Sequence, residues 1–132
     1  MKINENTQIG NTGCLLKNLI PYVLFEDINS NTSNITLKDD VSNYKYIDIY
    51  FNRNHLGMNY VRVDTSQNMN SVSLLTSYMT SSNLIRFYST TVSISDDQIT
   101  LLYSGVVQFW DSGVIDHISD SYTYITKVVG YK

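Results

Sequence analysis

The sequence predicts an all-β protein, an antiparallel β-sandwich of the jelly-roll type with seven to nine short strands. Alanine, the best helix former, is absent from the 132 residues, whereas β-branched residues and tyrosine, of which there are 11, are abundant. Short segments that alternate apolar and polar residues are separated by clusters of Ser, Thr, Asn and Asp, which is typical of strands and turns. We expect an N-terminal arm or connector over residues 1–20 and one sandwich domain over residues 21–132.

Two separate strands are predicted first. Residues 22–28 form one strand after Pro21, and the second strand begins at 35–37. The polar cluster between them, 29–34, is predicted to be a turn, because short polar side chains hydrogen-bond to their own backbone there. Residues 38–43 are predicted to form a turn or a single helical turn.

A hairpin follows, built from segments 46–51 and 58–64 around a turn at 52–57. Both segments alternate strictly, so each has one apolar and one polar face. The predicted inward positions are Ile47, Ile49, Phe51, Val61 and Val63. The predicted outward positions are Tyr46, Asp48, Tyr50, Tyr60 and Arg62.

The second half of the chain is predicted to contain further strands joined by polar turns. The strands are expected at 72–75, 84–94, 99–103 and 122–132, with a turn at 95–98. Residues 106–110 are predicted to be either a further strand or a loop packed by its own aromatic side chains, with Phe109 in the core. The least regular segment is expected at 111–121.

The charges exclude several classes of partner. Net charge is −3, and the segment from Phe87 to Thr126 carries five acids and no Lys or Arg. Nucleic-acid binding requires a basic stripe that neutralises phosphates, so no nucleic acid is expected as a partner. The longest apolar run, 14–25, is interrupted and shorter than the ~20 residues of a spanning helix, so no membrane partner is expected.

The N-terminus and the cysteine usage indicate a protein made in the cytosol and not exported by the usual route. The first ten residues lack the apolar core of a signal peptide. The single cysteine, Cys14, excludes an internal disulfide.

No catalytic constellation is visible in the sequence, so an enzyme is the least favoured class and no cofactor is expected. His55 lies in a predicted turn and His117 in the irregular segment, with no nucleophile beside either of them. The aspartate pairs at 39–40 and 96–97 lie at predicted turns, where aspartate side chains satisfy local amides. Asp111, Asp116 and Asp120 could offer carboxylate oxygens to a bound Ca²⁺. A solvated loop is the favoured interpretation, because their spacing matches no calcium loop.

The aromatic residues are the strongest candidates for ligand contacts. Aromatic rings bury apolar area at low entropic cost while their polar tips stay in water, which suits sugar stacking or subunit contacts. The predicted ligand-binding residues are Trp110, Tyr103, Asp111, His117 and Tyr78, of which Trp110 is the best candidate. The outward tyrosines Tyr46, Tyr50 and Tyr60 are assigned to an oligomer interface.

Four segments, taken in order, resemble a known domain. They are YVLFEDINSNTSNITLKDDVSNYKYIDIYFNRN, MNYVRVD, STTVSISDDQIT and the closing YITKVVGYK. Residues 21–132 resemble the C-terminal β-sandwich head domain of tail-fibre, baseplate and receptor-binding proteins of phages and prophages of Gram-positive bacteria. The order of the segments and the VVGYK sequence at the end are the features that carry the resemblance.

The resemblance implies a β-sandwich head displayed as a homotrimer on the virion, at the tail tip or fibre, and assembled in the cytoplasm of the bacterial host. It implies non-enzymatic binding of a host cell-wall polysaccharide or teichoic acid, and contact with other tail or baseplate proteins through residues 1–20. No binding residue follows from it, because the family has no fixed binding motif.

Two alternatives stay open at this point. A purely structural virion component, such as a fibre, collar or capsid-decoration protein, would use its aromatic residues as an oligomer interface. An isolated carbohydrate-binding module would be a monomer in which one aromatic residue dominates binding.

Overall fold

A computed structural model of the chain shows nine strands and one 3₁₀ turn in the residues that it describes. These residues are 4, 6–8, 10, 20–28, 34–53, 58–67, 71–81, 83–113, 115–119 and 123–132. The strands are β1 (Tyr22–Glu26), β2 (Asn34–Thr36), β3 (Tyr46–Arg53), β4 (Met58–Asp64), β5 (Val72–Ser81), β6 (Leu84–Ser95), β7 (Gln98–Trp110), β8 (Ile115–Ser119) and β9 (Thr123–Tyr131). The 3₁₀ turn, Val41–Asn43, lies between β2 and β3.

The strands form two antiparallel sheets packed against each other, which confirms the predicted β-sandwich. The four-stranded sheet has the order β1-β9-β3-β4. In the five-stranded sheet the order is β2-β7-β6-β5, and β8 also pairs with β7. Since β1, β3, β4 and β9 lie in one sheet and β2 and β5 to β8 in the other, the chain crosses between the sheets repeatedly.

Apolar side chains from both inner sheet faces fill the space between the sheets. The predicted alternation of the β3–β4 hairpin is confirmed, because Ile47 and Ile49 are fully buried and Val63 is buried beside them. Burial of one such side chain stabilises the fold by about 1.5–3 kcal/mol. The five-stranded sheet contributes Ile35, Leu74, Val92, Ile94 and Ile99 to the core. These five residues lie towards one end of that sheet, and its other end extends beyond this core cluster.

The turn before β3 is fixed to the end of β9 by the buried ring of Tyr44. The ring lies against Gly130, and the hydroxyl donates to Asp39 Oδ2 at 2.9 Å. Asp40 caps the 3₁₀ turn by accepting from the backbone N–H of Ser42 at 2.8 Å. Hydrogen bonds from Tyr44 lower the pKa of Asp39, and hydrogen bonds from Ser42 lower the pKa of Asp40. The predicted helical turn within 38–43 is therefore confirmed. The prediction that its aspartate side chains satisfy local amides is confirmed as well.

Three segments are more regular than the sequence indicates. Strand β5 extends over 72–81, although only 72–75 is predicted as strand. Residues 99–103 and 106–110 belong to one continuous strand, β7, and β8 lies within the segment expected to be irregular. Long antiparallel pairing to β6 and β7 outweighs the weak strand propensity of the Ser and Gly residues in these segments.

The prediction that Phe109 lies in the core is wrong, because its side chain is 39% exposed. Phe109 is paired with Ile85, and both point away from the four-stranded sheet. Trp110, in the stretch predicted to be either a strand or a loop, is the last residue of β7.

Candidate functional site

Most of the described tyrosines in the four-stranded sheet lie on its outward side, which faces away from the other sheet. We call it the tyrosine face, formed by Tyr46, Asp48, Tyr50, Tyr60, Arg62 and Tyr131. Strand register sets its three cross-strand rows, which are Tyr131–Tyr46–Asp64, Val129–Asp48–Arg62 and Lys127–Tyr50–Tyr60. Since residues opposite each other on one sheet face touch, the register alone brings these side chains together.

Asp48 and Arg62 form a two-point ion pair at the centre of this face. Arg62 Nε donates to Asp48 Oδ1 at 2.7 Å, and Nη2 donates to Oδ2 at 2.8 Å. The carboxylate is buried, with Asp48 only 2% exposed, whereas the Arg62 side chain is 53% exposed. The hydrogen bonds from Arg62 to Asp48 raise the pKa of the guanidinium, so it stays charged. The pair therefore presents a cation in a fixed orientation to solvent.

Tyrosine rings surround the guanidinium. The Arg62 Cζ atom lies 5.1 Å from the ring centroid of Tyr131 and 5.9 Å from that of Tyr46. At these distances a cation is attracted to the ring faces, which further limits the motion of Arg62. Burial, followed by the negative charge of Asp48, raises the pKa of Tyr131, so its phenol stays protonated at neutral pH.

Tyr50 and Tyr60 form a stacked aromatic pair next to the ion pair. Their ring centroids lie 5.6 Å apart with an interplanar angle of 28°. Tyr60 is 62% exposed, and Met58, the preceding outward position on β4, is exposed as well. An exposed ring that stacks on a neighbouring ring offers an ordered apolar surface at little further entropic cost. Such a surface suits the C–H face of a sugar ring.

The charges around the tyrosine face are balanced. Its cations are Lys45, Arg62 and Lys127, and its anions are Glu26, Asp48 and Asp64. Lys127 Nζ lies 3.5 Å from Glu26 Oε1, so this cation is partly neutralised. Balanced charge together with tyrosine hydroxyls favours a neutral, hydroxyl-rich ligand over a polyanion.

Of the ligand-binding residues predicted from sequence, the structure brings together Trp110 and Asp111. Trp110 Nε1 donates to Asp116 Oδ2 at 3.1 Å, and the indole is 36% exposed. Both predicted residues line a depression at the end of β7, whose other lining residues are Met79, Asn83, Leu84, Ile85 and Phe109. Its volume of about 160 Å³ is below the ~300–1,000 Å³ of common small-molecule sites.

Tyr103 does not belong to that depression. It lies seven residues before Trp110 on the same strand, which places the two residues on opposite faces and roughly 23 Å apart. Tyr78 and His117 lie on β5 and β8, and their side chains fall outside the described part of the structure. Their assignment to a ligand site stays a prediction.

The acidic segment shows no metal centre in the part of the chain that the structure describes. No group of three or more His, Cys, Asp or Glu side chains there could hold a metal ion. Asp111 and Asp116 flank the turn between β7 and β8, while Asp120 falls outside the described residues. The solvated loop stays the favoured prediction for these three aspartates, with a bound Ca²⁺ as the alternative.

The sequence-based assignment of the site residues omits three members of the tyrosine face, namely Asp48, Arg62 and Tyr131. Hairpin register is the signal that could have found the first two. Once Tyr50 is paired with Tyr60 across the turn, alternation places Asp48 opposite Arg62 on the outward side. Tyr131 could not be found in this way, because its pairing with Tyr46 depends on a long-range ladder.

Arg62→Met is expected to destabilise the protein more than Asp48→Asn. The first change leaves the buried Asp48 carboxylate without its partner, whereas the second leaves a half-exposed guanidinium that water can solvate. Urea unfolding measures both effects. The double variant should regain most of the stability lost in Arg62→Met, and equal losses in the two single variants would contradict this account of the pair.

Comparison with known protein families finds no matching family model, and comparison with curated protein sequences finds no match. Among the described residues there is no helix long and apolar enough to cross a membrane. The chemistry of the chain's own surfaces is therefore the evidence on which ligand the chain could bind.

Proposed function

We propose that the chain is a non-enzymatic head domain of a phage tail-fibre or baseplate protein, and that it binds a host cell-surface saccharide on the tyrosine face. One observation carries the binding part of the proposal, namely the exposed Tyr60 stacked on Tyr50 beside an Arg62 that Asp48 holds in place. The ring supplies a platform for a sugar, and the guanidinium supplies N–H donors for hydroxyl or ring oxygens.

The assignment to a phage virion rests on the resemblance of residues 21–132 to head domains of tail proteins. Two of the segments that carry it are neighbours in the four-stranded sheet, because β3 pairs with β9. The tyrosine face is formed largely by these two strands and β4. The proposed location is the virion, at the tail tip or fibre.

The proposal differs from the sequence-based assignment of individual residues. Tyr46, Tyr50 and Tyr60 are predicted from sequence to form an oligomer interface, and Trp110 is predicted to contact the ligand. We assign the saccharide to the tyrosines because Tyr60 is exposed, its ring stacks on that of Tyr50, and the adjacent Arg62 supplies N–H donors. The depression beside Trp110 is small, and its lining is mainly apolar.

Tyr60→Ala is expected to weaken binding to isolated Gram-positive cell walls about five- to thirtyfold, since an exposed aromatic contact of this kind is worth roughly 1–2 kcal/mol. Sedimentation of the protein with the walls, or interferometry on immobilised wall polysaccharide, measures the change. Tyr103→Ala is the matched control, because Tyr103 is an exposed tyrosine on the other sheet and should be dispensable. Loss of binding in Trp110→Ala with full binding in Tyr60→Ala would move the site to the end of β7.

A purely structural virion component is the second candidate function. It is favoured by an exposed apolar surface on the five-stranded sheet, where Leu75 and Met79 are among the most exposed apolar side chains described. A structural protein should show no binding to cell walls from any tested Gram-positive host. Such a result would leave the tyrosine face without a ligand and favour this second candidate.

A further inference from the structure

The outer side of the five-stranded sheet carries a continuous row of exposed apolar side chains. We call it the apolar face, formed by Leu75, Met79, Ile85, Phe87, Phe109 and Ile115. Strand register places Met79, Ile85, Phe109 and Ile115 in one row across β5, β6, β7 and β8. Phe87 and Leu75 continue the surface along β6 and β5, at 49% and 65% exposure.

The side chains of this face pack on one another, while their outer surface stays uncovered. The rings of Phe87 and Phe109 meet edge to face with centroids 5.5 Å apart. The phenol ring of Tyr103 lies against Gly105 farther along β7. Such lateral contacts order the surface, so covering it would require little further ordering of side chains.

Charged side chains are missing from the outward positions of β5, β6 and β7 that the structure describes between the apolar residues. Those positions are occupied by Ser73, Ser77, Ser89, Thr91, Ser93, Tyr103, Gly105 and Val107. Edges and faces that must stay solvent-exposed are normally protected by Lys, Glu or Asp. A contiguous apolar surface without such residues marks an interaction site.

The dimensions of the face suit association of two copies. Neighbouring strands lie ~4.8 Å apart, and each residue extends a strand by ~3.3 Å. Four strands of about eight residues therefore cover roughly 500 Å². Two copies packed through this face would together bury roughly 1,000 Å², which is close to the lower bound for a specific interface. Two chains of net charge −3 can also meet through an uncharged face without opposing like charges.

We propose that the apolar face packs against the apolar face of a second copy of this chain. The same patch on both partners makes a self-complementary contact, in which Phe87 and Phe109 supply the aromatic centre. The tyrosine face lies on the opposite side of the sandwich and stays uncovered. The inference does not depend on the saccharide proposal, because it rests on the other sheet.

Light scattering coupled to size-exclusion chromatography tests the contact, with the full chain at two concentrations. The self-complementary contact predicts a wild-type particle of two copies of the 15.1 kDa chain. Phe87→Glu and Leu75→Lys each place a charge on the exposed face and should reduce the particle to a monomer. Circular dichroism checks that each variant is folded, and two exposed positions are used so that one misfolded variant does not end the test.

Met58→Glu is the matched control, because Met58 is equally exposed but lies on the four-stranded sheet. It should leave the particle intact. A wild-type monomer at both concentrations would overturn the proposal. So would a folded Phe87→Glu or Leu75→Lys variant that keeps the wild-type mass, or dissociation by Met58→Glu alone.

Discussion

Gly130→Ala is expected to lower the free energy of unfolding by roughly 2–3 kcal/mol. A Cβ atom added at this position would lie 2.7 Å from Cγ of Tyr44, far inside van der Waals contact. Tyr44 cannot move away easily, because its ring is buried and its hydroxyl is bound to Asp39. The substitution also reduces the entropy of the unfolded chain, which offsets the loss by only about 0.4–1 kcal/mol.

Gly105→Ala provides the matched control for this prediction. Its added Cβ would also be too close to a tyrosine, at 2.6 Å from Cζ of Tyr103. That side chain is exposed, so it can rotate away at little cost. Urea unfolding should therefore show a large loss for Gly130→Ala and a change near zero for Gly105→Ala. Equal losses would mean that the β9–Tyr44 contact is no tighter than a surface contact.

Raising the pH from about 10 to about 12 is expected to remove roughly 2 kcal/mol of stability through Tyr44 alone. Burial, together with the hydrogen bond to Asp39, raises the pKa of Tyr44 from the ordinary tyrosine value of 10.0 to about 12. A folded-state pKa above the unfolded value means that the unfolded chain releases its proton first. The stabilising contribution is thus complete below pH 10 and is lost as the pH approaches 12.

Tyr44→Phe isolates this contribution from those of the other tyrosines. Phenylalanine fills the same space but cannot ionise, so its stability should fall less between pH 10 and pH 12 than that of the wild type. At neutral pH the variant should be less stable by roughly 0.5–1.5 kcal/mol, because the hydrogen bond to Asp39 is lost. Urea unfolding across the alkaline range measures both curves. Parallel curves would show that Tyr44 ionises equally easily in the folded and unfolded chains.

The fold class follows from sequence wherever one face of a strand is apolar and the other polar. The hairpin of β3 and β4 shows this, because Ile47, Ile49 and Val63 are buried as their alternation predicts. The lack of alanine and the presence of polar turn clusters also argue against a helical fold. The number of strands, nine among the described residues, also lies within the predicted range.

Prediction fails where both faces of a strand carry apolar residues. In β6 and β7 the outward Ile85, Phe87 and Phe109 look like core residues, and nothing local shows that their face lies outside the sandwich. Gly105 interrupts the pattern of β7, so a single strand of 13 residues reads as two pieces. Pairing with β6 along its whole length decides the outcome, and such pairing is a property of the tertiary structure.

The candidate site is predictable only in part, for the same reason. The outward positions of Tyr46, Tyr50, Tyr60 and Arg62 follow from alternation, but their mutual contacts require the strand register. Burial of Asp48 is the least predictable feature, since a charged residue on an outward face is normally solvated. It is buried because Arg62 covers it from one side and tyrosine rings surround the guanidinium.

The position of β9 in the four-stranded sheet has a consequence for the order in which the sandwich is formed. It lies between β1 and β3, so Tyr22 pairs with Gly130 and Ile49 with Val128, across most of the chain. The strands β5 to β8, in contrast, pair with their nearest neighbours in sequence. Contacts between distant residues close large loops and slow folding, whereas local contacts form early. During synthesis, β9, the strand that joins β1 to β3, therefore becomes available only after β1 to β8 have been made.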